Sequence, residues 1–228
     1  MGRLFGIGGE NTMRFTSDEL MFITSMTKGP IPFGIFFEKR RGTKAKEAAI
    51  EARQALIEKG ILTEDGITKK GFAVIKLWED YRNARKHLVV ANNVIGILNN
   101  RRCVVIVYDE NGFEIASGDS SALLFGFIKS YPALGRADRE NSKNYTDTTM
   151  DYETFRKLIN ESGREYFTIG VFPANRQPGE ERIIFWNDEC FNSYNPHKHT
   201  LKYVEPSAVR RFIVDALDLH KEVAANGR

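Results

Sequence analysis

Cysteine is scarce in this chain of 228 residues: there are two, Cys103 and Cys190, far apart in sequence. That excludes a disulfide framework and a CxxC metal knuckle, and makes a reducing compartment the default. Long apolar runs are missing as well. The longest candidate, 33–37, stops at once in Glu38-Lys39-Arg40-Arg41, so nothing approaches the roughly 20 residues of a membrane-spanning helix. The opening MGRLFGIGG has neither the apolar centre nor the small-residue cleavage site of a secretory signal, and a cytoplasmic chain is expected. Strong charge of one sign is absent too. A net charge of +3 does not by itself call for a nucleic-acid partner, although the first hundred residues carry a balance of +5 and the remainder −2.

What is present fits a globular protein, with 42% hydrophobic and 28% charged residues. Residues 1–13 are glycine-rich without periodicity and read as a flexible lead-in. Their GxGG follows no strand and lacks the lysine of a phosphate loop. The first firm element is FTSDELMFITSM. Thr16 is placed to cap a helix over 17–26, Glu19 to reach back to its amide, and Phe15 and Leu20 to form a hydrophobic staple. The segment 33–37 reads as a buried turn or extended piece. A second helix over 43–59 carries Ala45, Ala49, Ala52 and Leu56 at helical spacing and ends at Gly60. Thr68 caps a third helix reaching about Lys86, with Phe72, Ile75, Trp78 and Arg82 along one face.

From His87 the pattern turns to β-branched and aromatic residues, with Asn111-Gly112 as a hairpin signal. Strands are expected over 88–91, 103–108, 113–117 and 123–128. The segment 93–99 is too short an apolar run for periodicity to assign. A polar linker over 135–149 follows. Then come a helix capped by Asp151 and carrying Phe155, Leu158 and Ile159, strands over 166–172, 183–186 and 200–204, and a last helix from Pro206 with Val209, Ile213, Ala216, Leu217 and His220 on one face. The order of helix then strands thus occurs twice. The expected fold is α+β: a central antiparallel β-sheet flanked by helices, quasi-twofold in its halves (14–134 and 150–228 within one domain, 14–228), with an N-terminal module like a winged helix.

Three kinds of site are conceivable on the residues alone. Asp188, Glu189, Cys190, His197 and His199 offer metal ligands, and in an extended segment the two histidines would point the same way, as a metal-dependent hydrolase would need. No serine or cysteine sits beside a recognisable base, there is no GxSxG elbow, and Glu79 and Asp80 are neighbours that do not face each other on a helix. The chain therefore reads as a non-enzyme without cofactor or bound metal. Lys39, Arg40, Arg41, Lys44 and Lys46 form a basic cluster able to meet phosphates if LIEKGILTEDGITKKGF closes a recognition helix and opens a wing, which keeps a DNA-binding regulator as the alternative. Against it, Glu47, Glu51 and Glu58 lie on the same helix. Finally Phe125 and Phe127, two apart on an expected strand, would share one face and offer an apolar binding surface.

The order of motifs carries a resemblance. Phe15 to Leu20 (FTSDEL), Ile31 to Phe33 (IPF) and Leu56 to Gly66 (LIEKGILTEDG), followed by an antiparallel meander, resemble the EspG-like chaperones of type VII (ESX) secretion systems. The match covers the first half through motifs and the second through element order. It departs from the mycobacterial members in its lysine, asparagine and isoleucine usage and in its loops, which look more like a low-GC Gram-positive relative. The resemblance implies an α+β fold with a quasi-twofold sheet, and a cytosolic, non-enzymatic chaperone or adaptor. Such a protein would bind helical secreted effectors and keep them soluble for export, in contact with neither membrane nor nucleic acid.

Overall fold

The computed structural model describes residues 13–38, 40–139, 147–162, 165–174, 178–186 and 190–219. The lead-in 1–12, the candidate residues Lys39, Asp188 and Glu189, the middle of the linker (140–146), and His220 lie outside the described residues. Six helices and ten strands follow in the order β1 (Arg14–Phe15), α1 (Ser17–Met26), α2 (Thr43–Glu58), α3 (Lys69–Arg82), β2 (Lys86–Val90), β3 (Asn93–Ile97), β4 (Arg102–Asp109), β5 (Gly112–Asp119), α4 (Ser120–Ser130), β6 (Thr148–Thr149), α5 (Tyr152–Ser162), β7 (Glu165–Pro173), β8 (Glu180–Trp186), β9 (Phe191–Asn195), β10 (Thr200–Val204) and α6 (Pro206–Ala216). The fold is α+β, with antiparallel pairing of β1 with β5, β3 with β4, β7 with β8, β8 with β9, and β10 with both β9 and β6.

The chain forms two compact units, one holding the described residues up to His87 together with Asn92–Gly118, the other holding Leu88–Ala91 and those from Asp119 onward. In the first unit the strand order is β1-β5-β4-β3. Helix α1 starts as its sequence dictates: the Glu19 amide donates to Thr16 Oγ1 at 3.2 Å, and the Thr16 amide donates to Glu19 Oε2 at 2.7 Å. The Glu19 carboxylate is buried and also accepts from Lys59 Nζ at 2.6 Å, which ties the start of α1 to the end of α2. Gly60 ends α2 in the left-handed region at φ +68°. Helix α3 packs on β3 and β4, burying Ile75, Trp78, Tyr81 and the guanidinium-bearing Arg82.

In the second unit the order is β2-β7-β8-β9-β10-β6. Asp151 caps α5 by accepting from the Thr154 amide at 2.9 Å. Phe155 then lies flat on Tyr194, ring centroids 4.0 Å apart, beside Phe185 and Ile159. The Tyr194 hydroxyl donates to the Met150 carbonyl at 3.0 Å. On α6 the expected face is observed, with Val209, Ile213, Ala216 and Leu217 buried.

The elements repeat in detail. A two-residue edge strand (β1, β6) leads through a capped helix to an antiparallel meander, whose last strand (β5, β10) pairs back onto that edge strand and runs into a helix (α4, α6). Ten successive positions from Ser120 on α4 and from Pro206 on α6 have the same sequence of buried, half-buried and exposed classes. Leu123 thereby corresponds to Val209, Phe127 to Ile213 and Phe125 to Arg211. The first copy differs by what it adds: between edge strand and meander it has a long loop, α2 and α3, where the second has α5 alone.

Several local expectations are corrected. Residues 123–128 are helical, because Asp119 accepts from the Ser121 and Ala122 amides and starts α4 where the strand was expected to continue. The strand Phe191–Asn195, rich in asparagine, was not expected. The segment left unassigned over 93–99 contains β3. On α2 the buried stripe is Ala48, Ala52 and Leu56 while Ala49 is exposed, and on α3 Phe72 is exposed while Gly71 is buried.

Candidate partner-binding surface

The helical state of residues 120–130 separates the two candidate phenylalanines. Successive residues on a helix are about 100° apart, so positions two apart project on nearly opposite sides. Phe127 is fully buried and belongs to the core, whereas Phe125 is 71% exposed. Only Phe125 is available to another molecule. A benzyl group in water at this position is not demanded by the fold, since the corresponding position on α6 is the exposed Arg211.

A second exposed apolar site lies where a buried turn or extended piece was expected. Between α1 and α2 the chain is fastened inward repeatedly. Arg82, itself buried, donates from Nε to the Pro30 carbonyl at 2.7 Å, from Nη2 to the Gly29 carbonyl at 2.8 Å and from Nη1 to Thr27 Oγ1. The Tyr81 hydroxyl donates to the Phe33 carbonyl, and the Phe33 ring stacks on His87 at 4.9 Å. Pro32 and Ile35 are buried. Between these anchors Ile31 is 84% and Phe36 91% exposed. Burial lowers the pKa of the Arg82 guanidinium, opposed by the nearby Glu79 carboxylate, and burial lowers that of His87, opposed by its hydrogen bond with the Tyr81 carbonyl. With the Tyr81 carbonyl as acceptor at 3.0 Å, His87 Nε2 carries the proton of a neutral ring.

The basic cluster is dispersed in role. Arg40 is engaged with Asp18 at 2.8 Å and Glu38 at 3.0 Å. Arg41, Lys44 and Lys46 are exposed, as are Glu47, Glu51 and Glu58 on α2. The stretch that reads as a wing is a short turn in which Leu62 and Ile67 form one antiparallel bridge and the Thr63 amide donates to the Gly66 carbonyl at 2.8 Å.

The two histidines do not share a site. Residues 196–199 are a turn between β9 and β10, not an extended segment, because Asn195 Oδ1 accepts from the His197 and Lys198 amides at 2.9 Å each. His197 Nε2 meets Glu181 Oε2 at 2.6 Å, while His199, at φ +51°, has its Nδ1 3.3 Å from the Tyr194 hydroxyl. Among the described residues no three His, Cys, Asp or Glu side chains converge as metal ligands. Cys190 is half-buried. A groove of about 590 Å³, lined by Phe172, Pro178, Glu181, Arg182, His197 and Lys198, holds the His197 and Glu181 pair but, among the described residues, no serine or cysteine. No described helix is long and apolar enough to cross a membrane.

Sequence comparison agrees with a secretion context. Residues 9–225 match the family model described as Domain of unknown function (DUF5081). The chain is also similar to the type VII secretion system protein EsaE of Staphylococcus aureus, strains USA300 and NCTC 8325 / PS 47. Each is 30% identical over 173 residues, covering 72% of this chain and 75% of the relative.

Proposed function

The chain belongs to the DUF5081 family and is a relative of a type VII secretion system protein, and from that premise we propose that it is a cytoplasmic, non-enzymatic chaperone or adaptor. It binds helical substrates of such a system and keeps them soluble until export, in the manner of the EspG-like chaperones whose motif order it resembles. The observation that carries this reading is Phe125. Two helices of one burial pattern occupy equivalent places in the repeat; one presents Arg211 to water and the other Phe125, so the aromatic ring is held out for a partner and not for the fold. Helical exported proteins with apolar surfaces self-associate unless those surfaces are covered, and Phe125 supplies an apolar contact suited to covering one. Phe127, on the other side of α4, belongs to the core. The division into pseudo-repeated parts 14–134 and 150–228 belongs to the same proposal. Co-expression with exported helical proteins of a type VII system from the same genome tests it: a complex stable through size exclusion, weakened at least tenfold by Phe125→Arg, is the expected result. Absence of any such complex with the wild-type chain refutes it.

A DNA-binding regulator is the second reading, favoured by the exposure of Arg41, Lys44 and Lys46. With Arg40 engaged by two carboxylates and three glutamates exposed along α2, the dense phosphate-facing charge that duplex binding needs is reduced. Its test is duplex binding that weakens with salt and with Arg41→Ala.

A further inference from the structure

We propose that the loop joining α1 to α2 is a preformed docking element for an acidic amphipathic helix of the partner. The inference rests on the adaptor reading and names a surface and a ligand chemistry for it. Two features of the loop are opposed in the energy each represents. Its backbone is fixed by buried Arg82 and Tyr81, by Phe33 stacked on His87 and by the Arg40 to Asp18 ion pair. Yet the two side chains it holds farthest out, Ile31 and Phe36, are the most exposed large apolar groups of the described residues. An arrangement that orders the chain and leaves two such groups in water gains nothing from their burial in the monomer; it is what a preorganised hydrophobic contact looks like. The loop is also part of what the first copy of the repeat adds to the shared framework, where function is disproportionately placed.

The charge around these groups selects the ligand. Lys28 precedes Ile31 by three residues, and Arg41, Lys44 and Lys46 follow Phe36 within ten. All four are exposed and make no ion pair among the described residues. The acidic residue in the loop, Glu38, is taken by Arg40 at 3.0 Å. Arg40 with Asp18 and Glu38 leaves one surplus carboxylate, and exposed Glu47 on α2 is a second, so against the four exposed cations the charge of the described residues flanking the apolar pair in sequence is still positive, at +2. A helix with an apolar stripe flanked by Asp or Glu matches both features, the stripe covering Ile31 and Phe36 and the flanks meeting the cations. Two widely exposed apolar side chains held on a fixed loop favour a protein helix over a phosphate backbone.

The test uses the full chain and two labelled synthetic helices with the same leucines at i, i+3, i+4 and i+7, one flanked by glutamates and the other by lysines, followed by fluorescence anisotropy. The acidic helix is expected to bind at least tenfold more tightly than the basic one, to weaken about tenfold with Phe36→Ser combined with Ile31→Ser, and to weaken with salt. Folding of the variant is checked by an unchanged urea midpoint, as both replaced groups are exposed. Binding of neither helix, equal binding of both, or binding unaffected by the double substitution overturns the proposal. So does tighter capture by phosphatidylglycerol vesicles or a DNA duplex than by the acidic helix. The adaptor reading fails separately, by the lack of any complex with exported partners. If such a complex forms and is broken by Phe125→Arg but not by the loop substitutions, the adaptor reading stands and the loop proposal falls.

Discussion

Replacing Phe125 and Phe127 by alanine, one at a time, should give very different changes in stability although the two residues are two positions apart. Phe127 is fully buried on α4. Deleting a buried phenyl group removes its transfer free energy and leaves a cavity, together about 3–5 kcal/mol. At 71% exposed, Phe125 has under a third of its surface covered. Full burial of such a side chain is worth roughly 1.5–3 kcal/mol, so about 0.5–0.9 kcal/mol is lost. Alanine returns about 0.5 kcal/mol as the better helix former, and the net change is within about 0.5 kcal/mol of zero. Urea unfolding followed by far-ultraviolet circular dichroism measures both. On a strand the two rings would share a face and the two substitutions would cost similar amounts. Equal costs would refute both the helical assignment of residues 120–130 and the availability of Phe125 to a partner.

Other outcomes follow from single contacts. Glu19→Ala removes half of the α1 capping box and the charged hydrogen bond from Lys59, which keeps the Arg14 carbonyl as an acceptor at 2.7 Å; a loss of about 2–3 kcal/mol in urea unfolding is expected, against about 1 kcal/mol for Thr16→Ala. Gly112 sits at φ +118°, and a Cβ there would lie 2.5 Å from the Phe15 carbonyl oxygen, so Gly112→Ala should cost about 1–3 kcal/mol. Gly66→Ala, with no atom within 4 Å of the added carbon, should cost far less. His87 has a lowered pKa in the folded state because it is buried, so the unfolded chain binds its proton first. Stability is therefore full above the ordinary histidine pKa of about 6.5, falls as pH drops below it, and levels off once the folded-state pKa is passed. His87→Gln should flatten that part of a pH series of urea midpoints.

Much of the fold was legible because its signals are local. Thr16 with Glu19, Thr68, Asp151 and Gly60 each satisfy or end a helix within four residues, so caps read from sequence reappear as hydrogen bonds. The strand 200–204 and the buried face of α6 were equally plain. Residues 123–128 were misassigned because ALLFGFI is apolar at nearly every position, and such a run has no period to read; the deciding signal was Asp119, a cap just upstream. The strand 191–195 carries two asparagines and a serine, and sheet pairing overrode their weak strand preference. Ile31 and Phe36 were missed as candidate binding residues for another reason. Which loop side chains face water there is fixed by carbonyls taken up by Arg82 and Tyr81, some fifty positions later in the chain, and no short-range pattern records that. An apolar stretch punctuated by Pro30, Pro32 and Gly34 and bounded by cations was the available clue.

The central claim is that this chain holds exported helical proteins through exposed apolar side chains. The most direct measurement is co-purification of the tagged chain with exported type VII proteins co-expressed from the same genome, comparing wild type with Phe125→Arg and resolving the products by size exclusion with mass spectrometry. The account predicts a defined complex with wild type that survives moderate salt, and its loss with Phe125→Arg while the variant itself stays folded. A wild-type chain that elutes alone, with every co-expressed exported protein in separate fractions, would contradict it.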